Sequence, residues 1–423
     1  MALAPAQTDL PPPPRSPRYL TLDHWRGIAC LLVVLFHSSG VAFLSMEAQG
    51  TAPQQEGLAG LALSITRIGW IGVPFFFVIS GYAISATADS SRRGRGGPIG
   101  YFRRRIRRIY PPFWAMIVLQ LLIVAAVDVF LFRGLLTSSI APIERPWRFD
   151  LQQWFGNLTL TESWLYHLPF ITSPRDYIIG QSWTLCYEEQ FYLVAGAALI
   201  FAARRFFTFA AVVTIGVIVL LELAPYAGLR FNGFFFDGYW IAFAMGVLVF
   251  WQINYGTSTT AYATWGLLLA GLIYAVTIGP RQGEMERDLA AAAIFGMILF
   301  GLHRWDRRMA AWPALRPLKL AGVICYSLYL SHAVIVRTIS TGMYAVGFRD
   351  PLQTVVIVLP ICMVAAIAVG WAFHRAVERH FLNPSSGPSP SGLASPEPAR
   401  PVLQPTASAS QGPERAILEG RPR

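Results

Sequence analysis

Arg26-Gly27-Ile28-Ala29-Cys30-Leu31-Leu32-Val33-Val34-Leu35-Phe36-His37 opens the first long apolar run of the chain. Ten uncharged residues separate a guanidinium from an imidazole. Wound as an α-helix at about 1.5 Å per residue, the stretch places His37 about 16 Å beyond Arg26. That is roughly half of a ~30 Å hydrocarbon core. An ionisable side chain at such depth is costly, and function is its default reading. Imidazole is also the side chain best suited to moving protons near neutrality. The stretch reads as a membrane helix with a basic anchor at one end and a proton-handling group in its middle.

Composition extends that reading to the whole chain. Its 423 residues are 54% hydrophobic and only 13% charged, and the mean hydropathy is +0.46. Globular domains carry about 25% charged residues, so the chain is an all-α polytopic membrane protein rather than a soluble enzyme. Its formal net charge of +11 comes almost wholly from arginine, with Lys319 as the single lysine. In a soluble protein such an excess would raise nucleic acid as a partner. Here the arginines cluster at the ends of apolar runs, so no nucleic-acid partner is expected. Cys30, Cys186, Cys325 and Cys362 lie in or beside these runs without paired ligand spacing, and read as small apolar fillers with no disulfide or metal role.

Apolar runs of near-spanning length give about ten expected spans. They are 27–46, 68–88, 112–132, 188–203, 206–224, 234–252, 262–280, 288–303, 318–340 and 353–373. With an even count both termini share a side. That side then receives 24 of the 34 basic residues, including Arg92, Arg93, Arg103, Arg104, Arg105, Arg107 and Arg108. The bias places both termini in the cytoplasm. Residues 1–17 are a proline-rich arm expected to be disordered, with no cleavable leader visible, so the first span serves as its own insertion signal. Residues 18–383 form the membrane domain. Residues 133–187 form an external connection with Trp147, Trp154, Trp164, Tyr166 and Trp183, and 384–423 read as a disordered Pro/Ser/Ala-rich tail.

Five constellations carry possible chemistry. In the first, Arg26 and His37 are either an anchor plus interhelical polar glue or a working pair, and Asp23 orients Arg26 through an i,i+3 contact. In the second, the loop from Tyr101 to Trp114, Arg104 and Arg108 share a helix face and Arg105 lies three residues from Arg108. Guanidinium groups grip phosphates bidentately, which suits a phosphorylated donor such as coenzyme A; topology and anionic lipid account for the other arginines. The third, Trp183 to Tyr192, brings Glu188 and Glu189 into a span, with Glu188 expected to face inward. The fourth, Tyr326 to His332, holds a second buried imidazole, His332, with Tyr329 one turn before it; packing and catalysis are equally open there. In the fifth, Val73 to Tyr82, Ser80 brings a hydroxyl into the bundle and Gly81 permits close helix approach.

Each constellation alone is weak, but their order along the chain is specific. Leu22-Asp23, Arg26-Gly27 and His37, then Phe75 to Tyr82, Arg104 to Pro111, Trp183 to Tyr192, Tyr326 to His332 and Glu378 together resemble the integral-membrane acyltransferase-3 family. Its members acylate bacterial surface glycans and secreted small molecules, and the family fold is a bundle of about ten helices. The resemblance implies that His37 is the catalytic histidine and Arg26 the basic residue required with it. It implies that Arg104 and Arg108 serve the acyl-coenzyme A donor, and that Glu188 is the acid of a Trp-x-Leu-x-x-Glu motif. Thr184 and Cys186-Tyr187 stand where serines and small apolar residues are commoner.

The expected function is a bacterial cytoplasmic-membrane O-acyltransferase. Acyl-CoA, acetyl-CoA foremost, is co-substrate, no cofactor or metal is bound, and the acceptor is a hydroxyl of a carbohydrate, glycolipid or exported small molecule. His37, Arg26 and Glu188 are the expected catalytic residues and Arg104, Arg105 and Arg108 the donor-binding ones, with Asp23, Ser80, Tyr329 and His332 in support. Some family members carry an esterase-like domain after the membrane domain; residues 384–423 are too few for one, so transfer is expected to end in this chain or in a separate periplasmic partner. A proton-coupled transporter or flippase would also bury His and Glu, but no Gly/Pro-interrupted inverted repeat is visible. A non-catalytic subunit of glycan export is the other rival.

Overall fold

The computed structural model describes residues 14–15, 19–48, 57–94, 96–137, 142–165, 175–228, 238–277 and 286–382. Most of the 1–17 arm and the whole 384–423 tail lie outside them, as do Tyr166 and the ends 234–237 and 278–280 of two expected spans. The chain divides into one unit, Met1–Asn383, and a second, Pro384–Arg423.

Among the described residues the fold is all helical. In chain order the helices are α1 (Leu22–Ser38), α2 (Gly40–Ala48), α3 (Gly57–Thr66), α4 (Gly72–Arg92), α5 (Gly97–Ala125), α6 (Leu151–Thr159), α7 (Glu162–Leu165) and α8 (Trp183–Phe201). There follow α9 (Phe206–Leu223), α10 (Tyr239–Tyr255), α11 (Ser258–Thr277), α12 (Glu286–Leu302), α13 (Asp306–Ala311), α14 (Arg316–Val323), α15 (Cys325–Ala345), α16 (Pro351–Gln353) and α17 (Leu359–Ala376).

Each of the ten expected spans coincides with a helix, but not all are spans by the same standard. Among the described residues, seven helical stretches are long and apolar enough to cross a membrane, eight if the bent pair Pro313–Val323 and Cys325–Ala345 counts as one. Helix α10 is apolar but shorter, and the polar opening of α8, from Thr184 to Gln190, keeps it outside that set. The protein is a multi-pass membrane protein.

The segment from Tyr101 to Trp114, expected as a loop, is helical. A left-handed Gly96 (φ 89°) starts α5, Pro98 occupies its first turn, and the helix runs through Pro111 and Pro112. Arginine is a good helix former, so the arginine-rich stretch extends the span by several turns and arrays its side chains at about 100° steps.

Helix α4 is the hub, and the consecutive Phe75, Phe76 and Phe77 show why. Successive helical residues point in different directions. Phe75 stacks on Phe295 of α12 at 4.1 Å, Phe76 meets Tyr329 of α15 at 5.9 Å, and Phe77 meets Phe191 of α8 at 5.8 Å. On its other flank α4 touches α10 backbone to backbone. A Cβ at Gly81 would strike the Phe243 carbonyl, and one at Gly246 the Val78 carbonyl. Helices in a bilayer gain little from burying apolar surface, so such close backbone approach supplies much of their attraction.

The first turn of α1 is pinned from two sides. The buried Asp306 carboxylate accepts the Leu20 and Thr21 amides (2.7 and 2.8 Å) and the Thr21 hydroxyl (2.7 Å), satisfying donors that a helix N-terminus leaves open. Gly27 lies against the Leu318 backbone and Gly322 against the Asp23 carbonyl, so α14 seats directly on α1. These contacts fix Arg26. The bend between α14 and α15 is flanked by Glu378, buried, which accepts the Ser327 amide (3.3 Å) and hydroxyl (2.5 Å) and pairs with His374 Nδ1 (2.8 Å). The carboxylate thus sits at the N-terminus of α15, where the helix dipole favours negative charge, and stabilises a 72° bend between α14 and α15.

Candidate active site

Two of the cavities among the described residues hold the expected site residues. The first is a cleft between α1, α4, α5, α8 and α15. Arg26 of α1, Ser80 of α4, Arg105 and Arg108 of α5, Glu188 of α8 and Tyr329 of α15 line it. Arg26 Nη1 contacts Asp23 Oδ1 at 2.8 Å across one helical turn, which holds the guanidinium at the cleft rim. Ser80 donates to Glu188 Oε1 at 2.8 Å, so the serine hydroxyl is engaged with the acid. Arg105 donates to Thr87 Oγ1 at 2.9 Å and lies over the Tyr192 ring at 4.8 Å. Three guanidiniums against one carboxylate leave the side chains that line this cleft with an excess of positive charge.

Arg104 takes a different direction. Its Nη2 donates to Ser91 Oγ at 2.7 Å, and it is absent from the cleft lining. Its neighbour Arg105 stands in the cleft with Arg108. One residue of register, 100° around the helix, separates the two fates.

His37 lies elsewhere. It lines a second cavity with Phe43, Arg67, Ala333, Arg337 and Ser340. The half-buried His37 ring meets His332 edge-on, with ring centroids 5.0 Å apart. His332 is fully buried, and its ring is 5.9 Å from Tyr329, which lines the cleft. The chain Tyr329–His332–His37 therefore bridges the two cavities through the bundle.

Backbone contacts assign the imidazole protons. His37 Nδ1 is 2.8 Å from the Val33 carbonyl, and His332 Nδ1 is 2.7 Å from the Tyr329 carbonyl. A carbonyl only accepts, so Nδ1 carries the proton in both neutral rings and Nε2 is the basic nitrogen. His332 Nε2 is buried with no hydrogen-bond partner among the described residues. Of these two histidines, His37 lines the second cavity. Tyr329 itself is held by hydrogen bonds to the Gln181 carbonyl and Thr184 Oγ1 (both 2.5 Å).

These placements rest on the sequence regions already described. A family model for an acyltransferase domain matches residues 19–375. The chain belongs to the acyltransferase-3 family. This acyltransferase-3 chain is similar to the O-acetyltransferase OatA of Staphylococcus aureus, 26% identical over 211 residues, which cover 49% of this chain and 29% of that protein. It is also similar to the acyltransferase MdmB of Streptomyces mycarofaciens, 30% identical over 185 residues, 43% of this chain and 39% of that protein. The chain thus spans less than half the length of these curated relatives. No solved structure matches it.

Two residues of the second cavity escaped the sequence reading. Arg67 precedes an expected span and Arg337 falls inside one, between positions 318 and 340. Counted only as topological charges, they carry no signal of function; the intramembrane position of Arg337 is the cue that could have singled it out.

The connection between α5 and α8 contributes a titrating group. Glu162, 6% exposed, accepts the Asp176 amide at 3.3 Å and packs on Gly156. Burial, reinforced by the like charges of Asp176 and Asp150, pushes its pKa from 4.5 up to about 7. Because the folded value is the higher one, this group's contribution to stability is complete below about pH 4.5 and is lost as pH rises through about 7. Amide exchange of Leu151–Thr159, corrected for intrinsic rate, is expected to show protection falling across that window. Glu162→Gln should flatten the profile, and a wild-type profile already flat would refute the assignment.

Proposed function

We propose that this acyltransferase-3 chain is a bacterial cytoplasmic-membrane O-acyltransferase that moves an acyl group, acetyl foremost, from acyl-CoA to a hydroxyl of a carbohydrate, glycolipid or exported small molecule. The observation that supports this reading best is the imidazole pair standing between an arginine-lined cleft and a second cavity. The donor enters the cleft from the cytoplasm. Arg26, Arg105 and Arg108 bind its phosphates, and Glu188, engaged by Ser80, orients the pantetheine arm as it passes Tyr329 toward His37.

In the direct mechanism the acceptor hydroxyl gives its proton to His37 Nε2 as its oxygen attacks the thioester carbon. The tetrahedral oxyanion collapses, the carbon–sulfur bond breaks, and the imidazolium returns the proton to the leaving thiolate. In the stepwise variant His37 Nε2 attacks the thioester carbon, the carbon–sulfur bond breaks and the thiolate leaves; the acceptor oxygen then attacks the acyl carbon, the bond to Nε2 breaks, and the hydroxyl proton ends on the thiolate. Rapid quenching with radiolabelled acetyl-CoA and no acceptor distinguishes them: label on His37 supports the stepwise route, and its absence in a single turnover supports the direct one.

Inverted membrane vesicles supplied with labelled acetyl-CoA test the reading as a whole. A charge-assisted hydrogen bond contributes about 1.5–3 kcal/mol, so Arg26→Ala and Arg108→Ala should each raise the KM for acetyl-CoA by roughly tenfold or more. Transfer that persists at the wild-type rate and KM in both variants would sink the proposed donor site.

A further inference from the structure

The chain that joins α12 to α14 forms a groove separate from both cavities. Leu302, Trp305, Arg308, Met309, Trp312 and Pro313 line it, and none of them lines the cleft or the His37 cavity. Helices α12 and α13 belong to one 26-residue apolar stretch, Glu286–Ala311, up to about 39 Å long at the helical rise. A hydrocarbon core takes about 30 Å, so part of the stretch stands in the headgroup layer. From 303 to 319 the chain carries four arginines and one lysine against one acid, Asp306, which marks this end as the one in that layer.

The acid is already committed. Asp306 is buried and accepts the Leu20 and Thr21 amides. Arg304, Arg307 and Arg308 are exposed, and so are the indoles of Trp305 and Trp312. The Arg304 guanidinium lies over the Trp305 ring at 4.0 Å, and Trp305 is one wall of the groove. Arg308, one helical turn beyond Arg304, stands in the lining itself. Helix α14 then leaves at 72° to α15, across the direction of that span, with Ala321 and Gly322 buried and Arg316 and Lys319 exposed. Apolar walls beside exposed guanidiniums, at headgroup depth, match the two halves of an acidic amphiphile.

We propose that this groove binds an anionic phospholipid, its phosphate against Arg304 and Arg308 and an acyl chain against Trp305, Met309 and Trp312. Indole suits the place, since its ring meets acyl chains while its N–H meets the wet layer. A zwitterionic lipid brings the same chain and phosphate, but its ammonium group opposes the guanidiniums, so the preference rests on net charge. The site goes beyond the acyl-transfer reading and does not rest on it.

Photolabelling of the full chain in neutral detergent tests this. The probe is phosphatidylglycerol with a diazirine on one acyl chain, and peptide mapping reads the label segment by segment. Label is expected on residues 302–313, and unlabelled phosphatidylglycerol should displace it roughly fivefold or more effectively than phosphatidylcholine. Arg304→Gln combined with Arg308→Gln should lower label on that segment by roughly fivefold or more. Label on the other segments should stay, which reports that the variant is folded. In the unaltered protein the preference for the anionic lipid should shrink as salt is raised, a readout that needs no variant. Absence of label from 302–313, equal displacement by the two lipids, or label there unmoved by the double substitution would overturn the proposal. Displacement by inorganic phosphate as effective as by phosphatidylglycerol would overturn it too, because the groove would then take a free anion and not a lipid.

Discussion

Replacing His37 with alanine is expected to lower acyl transfer by about 10²–10⁴-fold, the usual contribution of a positioned general base. In barrier terms that is about 3–5 kcal/mol. The expectation rests on three features of the site. The Val33 carbonyl holds Nδ1, which leaves Nε2 as the basic nitrogen. The ring lines the second cavity, so the nitrogen is reachable. His332, the other imidazole of the pair, is fully buried and lines neither cavity. His332→Ala should therefore do less than His37→Ala, acting through the packing of the His37 ring. The measurement is kcat with saturating acetyl-CoA in vesicles, with the amount of inserted protein matched. Donor KM should stay close to wild type in His37→Ala, because the arginines proposed to bind the donor line the other cavity. A His37→Ala enzyme within threefold of wild type, or a His332→Ala enzyme more impaired than His37→Ala, would contradict the assignment of the base.

The largest stability effect is expected at Asp89. Its carboxylate and the Arg92 guanidinium are each 1% exposed, with Arg92 Nε donating to Oδ1 at 2.7 Å and Arg93 Nε to Oδ2 at 3.2 Å. Tyr255 of α10 also donates to Oδ2 at 2.7 Å, so the network ties the end of α4 to α10. Asp89→Ala leaves Arg92 buried without its counter-charge, which typically costs about 3–5 kcal/mol. Asp89→Ala combined with Arg92→Met removes the stranded charge and should cost much less than the sum of the two single changes. Thermal unfolding in detergent, followed by loss of monodisperse protein, reads both. A single variant that melts with the wild type would show that the pair contributes little here.

Much of the fold was legible along the chain. Membrane helices announce themselves through apolar length, and the ten expected segments each coincide with a helix. The weakest of them by apolar content, 188–203, is where the structure has a helix with a polar start. The arginine stretch read as a loop because arginine marks topology as readily as it forms helix; Gly96 and Pro98 decide in favour of helix. Within the site, Arg26, Ser80, Arg105, Arg108, Glu188 and Tyr329 come together in the cleft, whereas Arg104 and His37 do not join them.

What the sequence determined by itself is the class of the molecule and the helical segments that its apolar runs mark. Hydropathy, helical rise and side-chain ionisation are local properties, and each survives being read one residue at a time. Only the tertiary structure decided which charges meet. A side chain's direction depends on helix register, on the 72° bend between α14 and α15, and on glycine contacts that let backbones touch. Those three conditions bring His332 against His37, turn Arg105 into the cleft while Arg104 faces Ser91, and set Arg67 and Arg337 around one cavity. They are relations between helices far apart in the chain, and no single segment contains them.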